Sequence, residues 1–196
     1  MKSSTFQLLQ SPSVIILSAG HGAGDPGAVN GQHREADQTI TLVDIMAAHY
    51  RTWRIPCVIV PHALGLTGGI NWVNERFKFG SAWCLEIHRD SASGLAMHDA
   101  SLRCGIYHGK SEGSKSIASN IRTGLVRRGA GIKTWARPDT ESRHGSLAWI
   151  RQTKPLAHLL ELGFMEGDNS SRHLANLGLW AASATAEAFT GSKPLT

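Results

Sequence analysis

Ser13–Ser18 reads SVIILS and runs straight into Ala19–Gly31, AGHGAGDPGAVNG, after which apolar residues return at helical spacing. The first run is β-branched and apolar, the mark of a buried strand. The second is crowded with glycine and should be a loop. From Ala36 to about Trp53, Ile40, Val43, Met46 and Ala47 share one face, so a helix should begin near Glu35. Strand, loop and helix in immediate succession are the unit from which α/β folds are assembled.

The same alternation continues outward. Cys57–Val60 (CVIV) reads as a second strand, followed by a looser segment with Gly65, Gly68 and Gly69 and a helix around Asn71–Phe79. Strands are expected at Trp83–His88, Leu102–His108 and Leu156–Leu162. Helices are expected at Glu112–Arg128, closed by Gly129, and at Ser146–Gln152, ahead of Pro155. Ser170–Phe189 opens with a serine pair able to cap it and sets Leu174, Leu177, Trp180, Ala181 and Ala184 on one side, an amphipathic helix to pack on the sheet. The pattern predicts a single-domain α/β/α sandwich, with a largely parallel sheet flanked by helices on both faces. At 196 residues the chain fits one domain, expected over 1–196 with short flexible ends at 1–11 and 191–196.

Composition narrows the function classes. The formal charge of +5 attracts polyanions, among them nucleic acid, anionic membranes and the acidic polymers of bacterial envelopes. Nucleic-acid binding would want basic residues interleaved with aromatics in a recognisable module, and none is present. The densest basic group, Arg122, Arg127 and Arg128, reads as a solvated helix end whose cations meet the negative end of the dipole. Cys57, Cys84 and Cys104 are odd in number, far apart and set in apolar runs, which argues against a disulfide framework or a metal clip. The apolar run Val14–Leu17 is too short for a signal-peptide core or a membrane span, so the sequence predicts no export signal and no transmembrane segment.

In α/β folds the functional groups collect beyond the carboxyl ends of the strands. His21 follows the first strand, His88 ends the Trp83 strand, Glu161 ends the Leu156 strand, and Glu35 opens the first helix beside the His21 loop. Two imidazoles and one carboxylate are a regular ligand set for catalytic zinc, with a further carboxylate free to carry protons. Taken singly, His21 is a loop histidine, His88 a strand-end histidine and Glu35 a first-turn acid that complements the helix dipole. Glu161 is different: a carboxylate in so apolar a run as LLELGF is costly to bury unless it has a function. Asp25 and Asp37 are rival ligands. Gly22, Gly24 and Gly27 suggest a phosphate loop, but neither nucleotide-binding pattern is complete, and tight turns around a metal explain them better.

Three stretches carry a resemblance. AGHGAGDPG at Ala19–Gly27, followed by Ala28 and Glu35, is similar to the opening motif of the type 3 N-acetylmuramoyl-L-alanine amidases. CLEIHRDSASG at Cys84–Gly94 resembles that family's strand ending in histidine, and LLELGFMEGDNS at Leu159–Ser170 its closing motif. CGIYHG at Cys104–Gly109 and SKSIASNI at Ser114–Ile121 extend the resemblance over nearly the whole chain. It implies a mixed sheet, one zinc ion held by His21, Glu35 and His88, Glu161 as catalytic carboxylate, and peptidoglycan as substrate. Arg76 matches a family arginine ahead of the histidine strand. Arg89 and Asp90 stand where the family has a small or apolar residue and then asparagine, and Glu86 stands two residues before His88. Asp90 and Arg76 are therefore the candidate substrate-binding residues.

A catalytic domain without export signal or wall-binding repeats resembles a bacteriophage endolysin, a monomer held in the host bacterial cytoplasm until lysis. Its positive charge would then hold it to the anionic envelope. The competing readings are a non-catalytic peptidoglycan-binding module of the same fold and a zinc peptidase or deacylase acting on another amide.

Overall fold

The computed structural model describes residues 12–191. The expected flexible ends, 1–11 and 191–196, lie outside the described residues except for Gly191. In chain order the elements are β1 (Ile15–Ala19), a short hairpin of β2 (Val29–Asn30) and β3 (His33–Arg34), α1 (Glu35–Thr52), β4 (Cys57–Ile59), α2 (Gly65–Arg76), β5 (Trp83–Asp90), α3 (Met97–Leu102), β6 (Gly105–His108), α4 (Glu112–Arg128), β7 (Trp135–Pro138), α5 (Ala148–Gln152), β8 (Leu156–Phe164) and α6 (Ser171–Thr190).

Six strands form one sheet in the order β4-β1-β5-β8-β6-β7. The first four run parallel, while β6 pairs antiparallel with β8 and parallel with β7. The sheet is thus mixed and largely parallel, with helices on both faces. Strand alternation assigns each residue its face. Ile15, Leu17, Trp83, Leu85, Ile87, Leu160 and Leu162 point into the larger core beneath α1, α4 and α6. Ile16, Cys84 and Ala157 point the other way, into a smaller core under α2 and α5 with Ile70, Val73 and Trp149. The short α2 and α5 flank only part of that second face, and the even-numbered residues of β5 beyond Cys84 emerge there.

Capping agrees with the sequence reading. Ser111 Oγ accepts from the Ser114 N–H and Ser170 Oγ from the His173 N–H, at the starts of α4 and α6. Gly129 closes α4 with a φ of 128°. Arg127 and Arg128 do not end in solvent alone: both pair with Glu187 of α6, and Arg122 donates to the Thr134 carbonyl at 2.7 Å. The three cysteines are free thiols. None of the helices among the described residues is long and apolar enough to cross a membrane.

Four local expectations fail. Helix α2 starts at Gly65, so the glycines expected in a loose segment are helical, and Gly69 lets the helix approach β4: a Cβ there would stand 3.3 Å from Val60. Leu102 ends the short helix α3 instead of opening a strand. Strand β7 was hidden because WARP is short and carries Pro138, which an edge strand tolerates. The β2–β3 hairpin, two residues a side, lies within a segment whose glycines and polar residues masked it.

Candidate metal centre and active site

The first candidate ligand, His21, is set by a strained turn. After β1, His21 takes a left-handed backbone (φ 65°), and Gly22 and Asp25 then exchange both backbone hydrogen bonds across Ala23 and Gly24. Positive φ at Gly22, Gly24 and Gly27 makes this path possible. The turn folds the Asp25 carboxylate back onto His21, with Oδ2 2.8 Å from Nδ1, while Oδ1 accepts from the Gly27 N–H at 2.9 Å. The His21 Nε2 is left facing Glu35 Oε2 at 3.1 Å.

Glu35, the first residue of α1, is buried. Its Oε2 accepts from the Ala28 N–H at 2.9 Å and its Oε1 from the Arg89 N–H at 3.1 Å, and His88 Nδ1 lies 3.0 Å from Oε1. Burial works against its charge, but the contacts with His21 and His88 overcome it and hold the carboxyl well below the usual carboxylate range. The contact with Glu35 raises the His21 pKa against burial. Burial would likewise lower that of His88, but Glu35 and Glu86 drive it well above its ordinary value.

One ligand atom from each of His21, Glu35 and His88 lies within 4.8 Å of the others, and this is the only such group among the described residues. The backbone around them is pared down to make room. A Cβ on Gly27 would stand 2.7 Å from both the Glu35 carboxylate and the His21 ring, and one on Gly20 would collide with the His88 ring. Two imidazole nitrogens and a carboxylate oxygen are the donors that catalytic zinc takes while keeping a position open, so the residues present fit the ion.

Glu161 faces the same cleft from β8, where it is the register partner of His88. Its Oε2 is buried and has no hydrogen-bond partner among the described residues, and burial, reinforced by Asp90 and Glu35, raises its pKa to about 8 despite the opposing His88. An unpaired carboxylate oxygen beside a ligand cluster is placed to exchange a proton with a third party.

The cleft has two lobes of about 240 Å³ each, and both are lined by His21, His88, His144, Leu147 and Leu159. Leu66, Ala148 and Trp149 make one lobe largely apolar. Asp90, Ser91, Tyr107, Arg143 and Glu161 make the other polar. The wall shared by both is the segment between β7 and α5. Buried Asp139 anchors it, binding the Arg151 guanidinium through both oxygens and accepting from the Leu147 N–H at 3.3 Å.

The structure therefore brings His21, Glu35, His88, Glu161 and Asp90 together and leaves Arg76 out. Arg76 ends α2, at the opposite end from Gly65, which abuts the His21 turn at Ala23; it contacts Glu75 and stacks on Trp72. Asp37 is exposed on α1, near Arg34. Asp25 is a partner of the ligand His21 rather than a member of the ligand cluster. Arg89 points away from the cleft into the larger core side, donating to Gln38 and to the Phe164 carbonyl. Sequence reading missed Arg143, His144 and Leu147, which line the cleft from an irregular segment; the only hint was Gly145, a turn residue that takes a φ of 67° there.

Comparison with known proteins bears on the fold and the family. The most similar solved structures include the amidase AmiC2 of Nostoc punctiforme (17% identity, TM-score 0.72), with 89% of this chain and 95% of that one covered. The catalytic domain of the amidase CwlV from Bacillus (Paenibacillus) polymyxa var. colistinus aligns at 19% identity and TM-score 0.71 over 89% and 97% of the two chains. The catalytic domain of the CD27L endolysin, targeting Clostridia Difficile, aligns at 18% and 0.68 over 94% and 99%. At these identities the likeness is one of fold. No curated protein sequence matches the chain. The family model for N-acetylmuramoyl-L-alanine amidase matches residues 15–189, from β1 to within one residue of the end of α6, and on that match the chain belongs to the N-acetylmuramoyl-L-alanine amidase family.

Proposed function

We propose that the chain hydrolyses the amide between N-acetylmuramic acid and L-alanine in peptidoglycan, with one zinc ion held by His21, Glu35 and His88 and with Glu161 as proton carrier. The observation that carries this reading is the convergence of three ligand atoms within 4.8 Å beside a carboxylate whose Oε2 is buried and unpaired. Zinc bound there would supply Lewis-acid polarisation of the scissile carbonyl and make the attacking water more acidic.

The protein's own groups do the rest. Glu161 takes the proton of the attacking water at Oε2 and returns it to the departing L-alanine nitrogen. Burial raises its pKa and a bound cation opposes that rise, so the two together suit one carboxyl to serve as base and then as acid. Arg143, Ser91 and Tyr107 line the polar lobe and suit the amides and carboxylates of the stem peptide, with Asp90 orienting them. The apolar lobe at Leu66 and Trp149 suits the less polar lactyl side of the sugar.

The setting that fits is lysis of a bacterial cell by a phage enzyme. A monomeric catalytic domain spanning 1–196 would wait in the host cytoplasm and reach the wall when the inner membrane opens. A net charge of +5 would hold it to the anionic envelope, and lysis unaffected by salt would sink that part. A non-catalytic wall-binding module is the weaker reading, because relief from catalysis would not preserve all four of His21, Glu35, His88 and Glu161.

The test is to incubate the protein with purified peptidoglycan, with and without a chelator, and to identify the released ends by mass spectrometry. Free L-alanine amino termini that appear only with metal are expected; intact wall, or new reducing sugars in their place, would overturn the proposal.

A further inference from the structure

Glu86 sits in the middle of β5 and is only 4% exposed. Alternation along the strand puts Cys84, Glu86 and His88 on the cleft-side face, so the buried Arg89, one residue further on, turns its charge to the opposite side. Among the described residues no lysine or arginine pairs with Glu86. The charged group that it meets is His88, whose Nε2 lies 3.3 Å from Glu86 Oε2. A buried carboxylate without a cation is expensive, so this contact calls for an explanation.

The two histidines of the cluster are held alike. His21 turns Nε2 to Glu35 and Nδ1 to the Asp25 carboxylate. His88 turns Nδ1 to Glu35 and Nε2 to Glu86. Each ring thus presents one nitrogen to the ligand cluster and rests the other on a carboxylate. A histidine that ligates a metal through one nitrogen commonly gives its other N–H to such a group, which fixes the tautomer and ring orientation and makes the ligating nitrogen more basic.

We infer that Glu86 is a positioning residue for the metal site: it keeps the His88 proton on Nε2 and so directs the Nδ1 lone pair at the ion. The inference rests on the metal reading above. It also assigns a role to the acid that sets this strand apart, for an uncharged residue at position 86 would leave the His88 tautomer free.

The experiment measures zinc affinity by competition with a chromogenic chelator for the wild type, Glu86→Gln and Glu86→Ala. Alongside it, long-range proton–nitrogen NMR on the zinc-loaded wild type reads the His88 ring, and thermal melting compares the chelator-treated proteins. Glu86→Ala should bind zinc ~10–100-fold more weakly, with glutamine, which keeps an acceptor, falling between. Melting of the metal-free proteins should fall more for alanine, which leaves the buried His88 short of an acceptor and opens a cavity, than for glutamine, which keeps both shape and acceptor. The spectrum should show Nδ1 metallated and Nε2 protonated. Equal zinc affinity in Glu86→Ala, or metal on Nε2, overturns this inference alone; a wild type that takes up no zinc overturns the metal reading and this inference with it.

Discussion

Replacing Glu161 by glutamine separates what the carboxylate contributes to turnover from what it costs the fold. The folded protein holds this carboxyl at about 8, chiefly through burial, whereas an unfolded chain would ionise it near its ordinary 4.5. Because the folded value is the higher, the contribution to stability is complete below the unfolded pKa and is lost as pH rises toward the folded one. The gap corresponds to at most ~5 kcal/mol at about 1.36 kcal/mol per pH unit, and the partial exposure of the residue reduces this to about 2–3 kcal/mol. Glutamine has the same shape and does not titrate. In chelator-treated protein, the stability of E161Q relative to wild type should therefore rise by that amount between about pH 5 and about pH 9, as read from urea denaturation. Using chelator matters, since a bound cation would pull the carboxyl back down. With metal restored, release of L-alanine amino termini by E161Q should drop ~10²–10⁴-fold, the usual worth of a positioned general base. A stability difference that does not change with pH would show that the carboxyl is not perturbed, and turnover within tenfold of wild type would remove Glu161 as proton carrier.

The other predictions concern the ligands and their support. His21 and His88 hold protons to higher pH than free histidine does, and a metal must displace them, so zinc affinity should weaken as pH falls from about 8 to about 6, with proton release on binding. Calorimetry in two buffers of different ionisation enthalpy reads both, and an affinity flat over that range would contradict the shifts. Gly20→Ala drives a methyl into the His88 ring and should weaken zinc binding by at least ~10-fold while leaving the fold intact, since Gly20 has no positive φ to lose; metal content and circular dichroism decide. Trp149→Ala empties the centre of the smaller core, where Trp149 is 1% exposed, and should cost about 3–5 kcal/mol in denaturant unfolding. An effect below ~1 kcal/mol would mean that this core is not cooperative with the rest.

The main frame was legible in the sequence because it is written in strong local signals. The β-branched run at Ile15–Leu17, the helical spacing behind Glu35, the serine caps at Ser111 and Ser170 and the glycine after Arg128 each fix an element by backbone chemistry alone. Of the four residues that the structure brings together, His21 and Glu35 flank the loop after β1, while His88 and Glu161 lie inside β5 and β8, two and three residues from their ends, and stand out in the sequence as polar residues in apolar runs. Arg76 was misplaced because motif spacing does not say which way a helix runs past the site, and α2 carries it away from the cleft. The antiparallel direction of β6 was unreadable, for it depends on α3, six residues with no clear periodicity, turning the chain between β5 and β6. Partners such as Asp25 for His21 and Asp139 for Arg151 depend on a turn or on tertiary contact, and composition has no signature for either.

What the sheet contributes to the site is register. His88 lies opposite Glu161 and Glu86 opposite Leu159, so the His88 ring and the Glu161 carboxyl project side by side from the face that α2 and α5 leave open. A slip of one residue would send Glu161 into the larger core and bring Leu160 to the cleft, so the apolar residues that alternate with the site hold the chemistry in place. The pairing is then broken on purpose one step later. Between His88 and Asp90 on one strand, and Glu161 and Phe164 on the other, β8 carries one residue more than β5. Gly163 takes up the excess with a φ of 75°, where a Cβ would press on the Ser101 carbonyl at 3.0 Å. The Arg89 N–H, like the backbone groups of Ile87, faces the β1 side of β5, and because β1 has ended at Ala19 it donates to Glu35, while the bulge on the other side seats the Arg89 guanidinium on the Phe164 carbonyl. The glycine and phenylalanine that follow Glu161 in the closing motif are thus explained by backbone geometry: Gly163 takes the left-handed turn of the bulge, and Phe164 presents its carbonyl to the Arg89 guanidinium.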